Sequence, residues 1–315
     1  MGEPLVKLVK TLHRGRGLVA MRDIAAGTPI FAEDAAVAHR EHLGPACCPH
    51  CFRPTSSCAA NPCLTGSPGS DRYLRSLASP AFLHVASQSA AQGQRFPVIA
   101  AKLALRCHFI EDGSDIVAQV GSLVAPMQAL RKDAGGFPPD FVAAHDMASK
   151  SLAPVFNPPQ STRPSKKKLL SRGGKNVAGA SGSFFNLEWF CGIMGRLHLN
   201  TMRTDTGLSV LYVLGSYFNH GCRPNVAPVY DGARVEWRAV RDIFADDECL
   251  ISYYDGRNEV NRKIGSDLLG NASNIRAQNA YYPVSPKERP ESASDEFLNW
   301  NYGFRCSESC SCGRF

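Results

Sequence analysis

The chain has 315 residues, 44% of them hydrophobic, enough for one large domain with insertions or two modest ones. Lys and Arg exceed Asp and Glu by 7 charges, a mild bias toward acidic partners such as chromatin or anionic substrates. No signal-peptide-like apolar stretch follows Lys7 and Lys10, and no run approaches about 18 apolar residues, so the default expectation is a soluble protein of nucleus, cytoplasm or both. Twelve cysteines in such a compartment favour metal binding or buried thiols over a disulfide framework.

Residues 5 to 40 read as short strands separated by turns at Arg14-Gly15-Arg16-Gly17 and Ala26-Gly27-Thr28-Pro29. Between 47 and 69 the chain becomes rich in Cys, Pro, Ser and Gly. From about Asp71 to Asp146 the pattern is helical, as in Pro97 to Leu105. Residues 151 to 183 form a Pro-, Ser-, Lys- and Gly-rich loop whose basic run, Arg163 to Lys175, reads as a solvated loop or as a nuclear-localisation or docking patch. Leu187 to Leu199 is expected to be helical. Strands return from Gly207 to Tyr254, among them a buried run from Leu208 to Leu214, and a polar tail ends in Cys306, Cys310 and Cys312. Strand segments at both ends with helices between them argue against a doubly wound sheet and for a mainly β, α+β architecture with inserted helices.

Chemistry concentrates in a few places. Gly15-Arg16-Gly17 allows a backbone to approach a ligand closely, because glycine lacks a Cβ. Tyr217-Phe218-Asn219-His220-Gly221-Cys222-Arg223-Pro224-Asn225 and Ile251-Ser252-Tyr253-Tyr254-Asp255 place polar groups between segments that are otherwise apolar. An Asn amide offers two donors and an acceptor, suited to a zwitterion. Cys48-Pro49-His50-Cys51 is a knuckle-like pair that Cys58 and Cys63 complete as a four-cysteine set, with Cys47 to spare. The tail cysteines are spaced C-x3-C-x-C and need a fourth ligand to close a tetrahedral zinc site; reduced surface thiols are the other reading.

Together these segments resemble the motifs of SET-domain protein lysine methyltransferases, in the cysteine-containing form of the SET-and-MYND branch. The resemblance covers residues 12 to 34, 186 to 255 and 300 to 312, while 47 to 185 match by position alone. It implies a β-clip fold divided as 1–46 and 186–255 (the two halves of the SET domain), 47–185 (an insertion with a degenerate finger, helices and a basic loop) and 256–315 (a post-SET tail with knotted threading). It also implies S-adenosyl-L-methionine as cofactor, bound by Gly15, Arg16, Gly17, Asn200, Asn219, His220, Tyr253 and Phe304. Tyr253 and Tyr302 stand at the catalytic positions, and Cys222, Cys306, Cys310 and Cys312 at those of a structural zinc. The family's usual tail spacing is C-x-C-x2-C, from which this chain departs.

The chemistry so implied is transfer of a methyl group from a sulfonium to a lysine amine. Lysine, with an ordinary pKa of about 10.4, must first lose a proton, which a dry channel beside a cation favours. Aromatic walls guide the aliphatic stem, and tyrosine supplies both a ring and a hydroxyl. The implied partner is a histone tail or another lysine-bearing protein, with possible association to chromatin, no membrane and a monomeric enzyme. A SET-shaped zinc scaffold without turnover is the alternative, and a zinc-dependent nucleic-acid binder a third reading, disfavoured because basic and aromatic residues are not interleaved.

Overall fold

The computed structural model describes residues 3–11, 15–40, 47–60, 62–64, 67–110, 113–125, 136–156, 185–221 and 223–253. Two compact units emerge: Met1–Arg40, Ala46–Thr55 and Leu199–Phe315 make the first, Glu41–Pro45 and Ser56–His198 the second.

The first unit is built from small sheets. Strands β1 (Val6–Thr11) and β2 (Gly15–Ala20) form an antiparallel hairpin in which Thr11 faces Gly15 and Val9 faces Gly17. Strand β3 (Pro29–Asp34) lies beside β9 (Arg234–Ala239), which pairs in turn with β8 (Val226–Asp231). The β8–β9 connection is tight, with Asp231 facing Arg234 and Gly232 at φ +59°. A third sheet runs β4 (Val37–His39), β6 (Ser209–Leu211), β5 (Thr201–Arg203), and a two-residue parallel pair joins β7 (Asn219–His220) to β10 (Leu250–Ile251).

Alternation explains the core of this unit. In β9, Val235, Trp237 and Ala239 are buried while Arg234, Glu236 and Arg238 face outward, the two-residue period of a strand with one wet face. Trp237 lies at the centre of an aromatic group, with ring centroids 4.8 Å from Phe218, 6.0 Å from Tyr212 and 6.3 Å from Phe31. Such tilted and edge-on arrangements suit ring quadrupoles better than face-to-face stacks.

The second unit is helical: α1 (Thr55–Ala60, beginning at the last residue of the first unit), α2 (Pro68–Leu77), α3 (Pro80–Ala91), α4 (Phe96–Phe109), α5 (Gly113–Gly121), α6 (Pro139–Phe156) and α7 (Leu187–Asn200). Ser-Pro steps start two of them. Ser67 Oγ accepts from Ser70 N–H and Ser79 Oγ from Phe82 N–H, each at 3.2 Å, with proline at the first helical position where its missing N–H costs nothing. Helix α4 is buried continuously from Pro97 to Arg106, the mark of a helix enclosed by others.

The expected helix at 187–199 and the helical stretch after residue 71 are both present. Two expectations are revised. Helical residues outnumber strand residues among those described, so the chain is mixed rather than mainly β, because the Ala- and Leu-rich insertion packs as a full helical unit. The buried run Leu208–Leu214 is strand only over Ser209–Leu211. It then turns into a 3-10 helix at Gly215–Tyr217, since the Leu214 and Gly215 N–H groups bond to a carboxylate rather than to a neighbouring strand. The expected basic loop, the knotted tail and its cysteines lie outside the described residues.

In α7, His198 sits between Phe96 (centroids 4.2 Å) and Phe141 (5.5 Å, stacked). Desolvation pushes its pKa below the ordinary 6.5; Asp140 opposes the shift and Arg95 adds to it. A lowered histidine contributes stability that is complete above its unfolded pKa and lost as pH falls through that region, because the unfolded chain then takes up the proton more readily. We predict that the native chain loses stability on acidification from about pH 6.5 and that His198→Phe shows less of this loss. Denaturant titrations at a series of pH values check it; parallel curves for the two proteins contradict it.

Candidate active site

Four elements of the first unit converge. Gly15 begins β2 at φ +76°, in the left-handed region that glycine enters without a Cβ penalty. The next residue, Arg16, lays its guanidinium over the Tyr217 ring, 4.9 Å from the centroid, with Nη1 3.5 Å from Tyr217 Oη. Its carbonyl oxygen accepts from Asn219 Nδ2 at 3.2 Å. The hairpin thus reaches the Asn-His strand through backbone and side chain together.

Strand β10 runs beside β7, with Leu250 facing Asn219 and Ile251 facing His220. Asn225 fixes this register. Its Oδ1 accepts from Leu250 N–H at 2.7 Å, its Nδ2 donates to the Glu248 carbonyl at 2.9 Å, and its backbone N–H donates to Leu250 O at 3.1 Å. The side chain, almost wholly buried, acts as a short extra strand. On the opposite edge Cys249 N–H donates to Leu18 O at 2.8 Å and Ala20 N–H to Asp247 O at 2.9 Å. The turn leading in carries Asp246 at φ +65°, a conformation that Asp tolerates better than most residues. Burial, then the charges of Glu248 and Asp247, push the Cys249 thiol up to about 12, so it serves the core and not as a nucleophile.

Asn219 donates to Glu248 Oε1 at 2.7 Å as well as to Arg16 O. Both partners only accept, so the amide orientation is chemically fixed and both of its hydrogens are committed. What the side chain presents to a ligand is the acceptor Oδ1. His220, mostly buried, accepts the Tyr253 N–H at Nδ1 over 3.0 Å, which places the proton of the neutral ring on Nε2. Tyr253 Oη donates to the Phe218 carbonyl at 2.7 Å, with its ring centroid 5.5 Å from that of His220. Toward any third group the phenol oxygen is therefore an acceptor. Asn219 and Tyr253 both offer acceptor oxygens, in a cluster that also holds the Arg16 cation, a pattern suited to a ligand carrying ammonium hydrogens and a carboxylate.

Behind the cluster lies Glu33. Its Oε1 accepts from Gly215 N–H at 2.6 Å and Trp237 Nε1–H at 3.2 Å, and its Oε2 from Leu214 N–H at 3.0 Å. This carboxylate holds the 3-10 turn from which Tyr217, Phe218 and Asn219 follow. A Cβ on Gly215 would collide with the Trp237 ring and stand 2.9 Å from Glu33 Oε1, so no side chain fits.

Of the residues singled out from sequence, Arg16, Asn219, His220 and Tyr253 come together, with Gly15 and Gly17 on the same hairpin. Asn200 ends α7 where the chain enters β5, in a different sheet from Asn219. Tyr302, Phe304, Cys222, Cys306, Cys310 and Cys312 lie outside the described residues. Glu33, Glu248 and Asn225 had no role assigned from sequence. Asn225 closes the polar run that begins at Tyr217, and Glu248 lies close before Tyr253, which were the signals available for them.

A family model described as the SET domain matches residues 15–254. The chain belongs to the SET-domain family. No curated protein matches it. Among solved structures, the SET domain of LSMT bound to lysine and AdoHcy aligns at 11% identity with a TM-score of 0.37, covering 81% of this chain and 50% of that one. The same domain bound to MeLysine and AdoHcy aligns at 13% and 0.41, covering 81% and 50%. Rubisco LSMT bound to AdoMet aligns at 12% and 0.41, covering 97% and 61%. The chain thus spans about half to three fifths of those proteins.

Burial lifts the Glu33 carboxyl above its ordinary 4.5, against the lowering effect of its bonds to Leu214, Gly215 and Trp237; the charge of Asp34 adds to the rise. A raised carboxyl contributes stability that is complete below its unfolded pKa and lost as pH rises through the folded one. We predict that Glu33→Gln, which replaces an acceptor oxygen by a donor facing other donors, costs about 1–3 kcal/mol. The deficit relative to the native chain is largest below about pH 4.5 and narrows as pH rises through the raised folded-state value. Urea unfolding across that range measures it, and a deficit independent of pH contradicts the assignment.

Proposed function

We propose that the chain is an S-adenosylmethionine-dependent protein-lysine N-methyltransferase, acting on a histone tail or another lysine-bearing protein. The observation that carries this reading is the joined set Arg16, Asn219, His220 and Tyr253 within a SET-domain match. The donor set fits the cofactor's amino-acid end. Asn219 Oδ1 suits an ammonium, the Arg16 guanidinium suits a carboxylate, and the Gly15-to-Gly17 backbone permits close approach. When bound, that cofactor supplies a methyl group activated on a sulfonium.

The chain's own work is to orient. Tyr253 is locked at both ends, its amide on His220 and its hydroxyl on Phe218 O, so its ring and oxygen hold one position without further ordering. With its proton already committed, the phenol oxygen accepts from an incoming amine and does not compete as a donor. Tyr253 packs against the apolar core that contains the fully buried Phe218. Low polarity there favours the neutral amine over the ammonium, which lowers the cost of removing the lysine proton. No catalytic base is required, since water can carry the proton away.

Calorimetry of the full chain with S-adenosylmethionine, followed by transfer of labelled methyl to candidate proteins, tests the reading. Tyr253→Phe is expected to bind the cofactor within about twofold of the native chain and to lose transfer by about a hundredfold or more. Asn219→Ala is expected to weaken cofactor binding by about tenfold, the loss of one charge-assisted hydrogen bond. Absence of cofactor binding by the native chain, or full transfer by Tyr253→Phe, overturns it.

A further inference from the structure

We propose that Glu248 is a positioning residue: by holding the Asn219 amide, it makes that side chain the receptor for the cofactor's ammonium group. The inference rests on the methyltransferase reading above. It assigns the part of the site that tells an amino acid from a plain carboxylic acid. Glu248 Oε1 lies 2.7 Å from Asn219 Nδ2, and the Arg16 carbonyl oxygen lies 3.2 Å from the same nitrogen. The two anchors differ in strength, because a hydrogen bond to a carboxylate is shorter and roughly twice as strong as one to a neutral carbonyl. With Arg16 O alone the amide could pivot about a single bond. The second bond fixes its plane, and with it the direction of Oδ1. The carboxylate also polarises the group it holds. An acceptor drawing on an amide N–H shifts electron density to the amide oxygen, which makes Oδ1 a better acceptor for an ammonium hydrogen.

The strand does not need this side chain for its own placement. The backbone of Glu248 bridges to Val19, and its carbonyl oxygen accepts from Asn225 Nδ2 at 2.9 Å. The next amide, of Cys249, donates to Leu18 O at 2.8 Å. Asn219 is held in β7 opposite Leu250. Main-chain pairing and Asn225 therefore set both Cα positions, and what the carboxylate adds is the orientation of one amide. Loss of the Glu248 side chain should leave the sheet in place and blunt recognition of a single ligand group. The Arg16 guanidinium, suited to the ligand's carboxylate, is untouched by that loss.

Calorimetry with two probes tests the assignment: S-adenosylmethionine, and its desamino analogue with hydrogen in place of the amino group. The native chain should bind S-adenosylmethionine at least about tenfold more tightly, the worth of one hydrogen bond to a charged group. Glu248→Ala should bind S-adenosylmethionine about tenfold more weakly than the native chain and the analogue within about twofold, so the preference collapses. Glu248→Gln still offers Asn219 an acceptor oxygen and should recover the preference to within about threefold. Should Glu248→Ala fail to fold, Glu248→Met keeps an unbranched stem without an acceptor oxygen and is expected to show the same collapse. Equal losses for the two probes, a preference left at its native size, no recovery in Glu248→Gln, or a native chain indifferent to the amino group overturns the positioning role and leaves the methyltransferase reading standing. A native chain that binds neither probe overturns that reading, and this inference with it.

Discussion

The segment Asp247–Ile251 is gripped along both edges, and the site depends on that grip. On one side the backbone of β2 takes the Cys249 amide and the Asp247 carbonyl. On the other, the Asn225 side chain takes the Leu250 amide and the Glu248 carbonyl, and β7 continues the pairing. A buried backbone must place every polar group, and here one asparagine side chain does what a whole strand does elsewhere. Asn219, His220 and Tyr253 inherit their positions from this arrangement. Each reaches a neighbour across the junction and none stands on one element alone.

Much of this was legible in the sequence, for a physical reason. Asn219, His220, Asn225 and Tyr253 are polar residues between apolar runs, and polar groups among buried strands need partners. Gly15-Arg16-Gly17 reads in the sequence as a turn, but it pairs with Val9–Thr11 as the start of β2, and Gly15 at φ +76° is the one position there that needs glycine's freedom. Glu33 was not. In a strand, an acid reads as a solvent-facing residue, and nothing local reveals that its partners are the amides of Leu214 and Gly215 and the Trp237 indole, about 180 to 200 positions away. The same contact ended the strand expected through Leu214. Composition also misjudged the balance of the fold, since the insertion's Ala and Leu content announces helices but not that they close around α4 as a unit of their own.

The cysteines illustrate how local and distant geometry differ in legibility. Sets separated by a few residues, such as Cys48 with Cys51, are brought together by a turn, and a short helix carries Cys58 toward Cys63. Within each pair, the pattern in the chain and the contact in space are then nearly the same statement. A ligand set drawn from Cys222 and the far tail depends instead on long-range threading, which spacing alone does not determine.

The packing at Gly215 has a consequence for how this molecule can change over time. The bare Cα of that residue accommodates the edge of the Trp237 indole, and the indole nitrogen shares its acceptor with the Gly215 amide. Neither position is open to independent drift: a larger residue at 215 demands a smaller ring at 237, and a smaller ring strands one lobe of the shared carboxylate. Relatives that abandon the tryptophan should therefore have altered the glycine and the acid as well, a three-way linkage that the chemistry of methyl transfer would never have suggested.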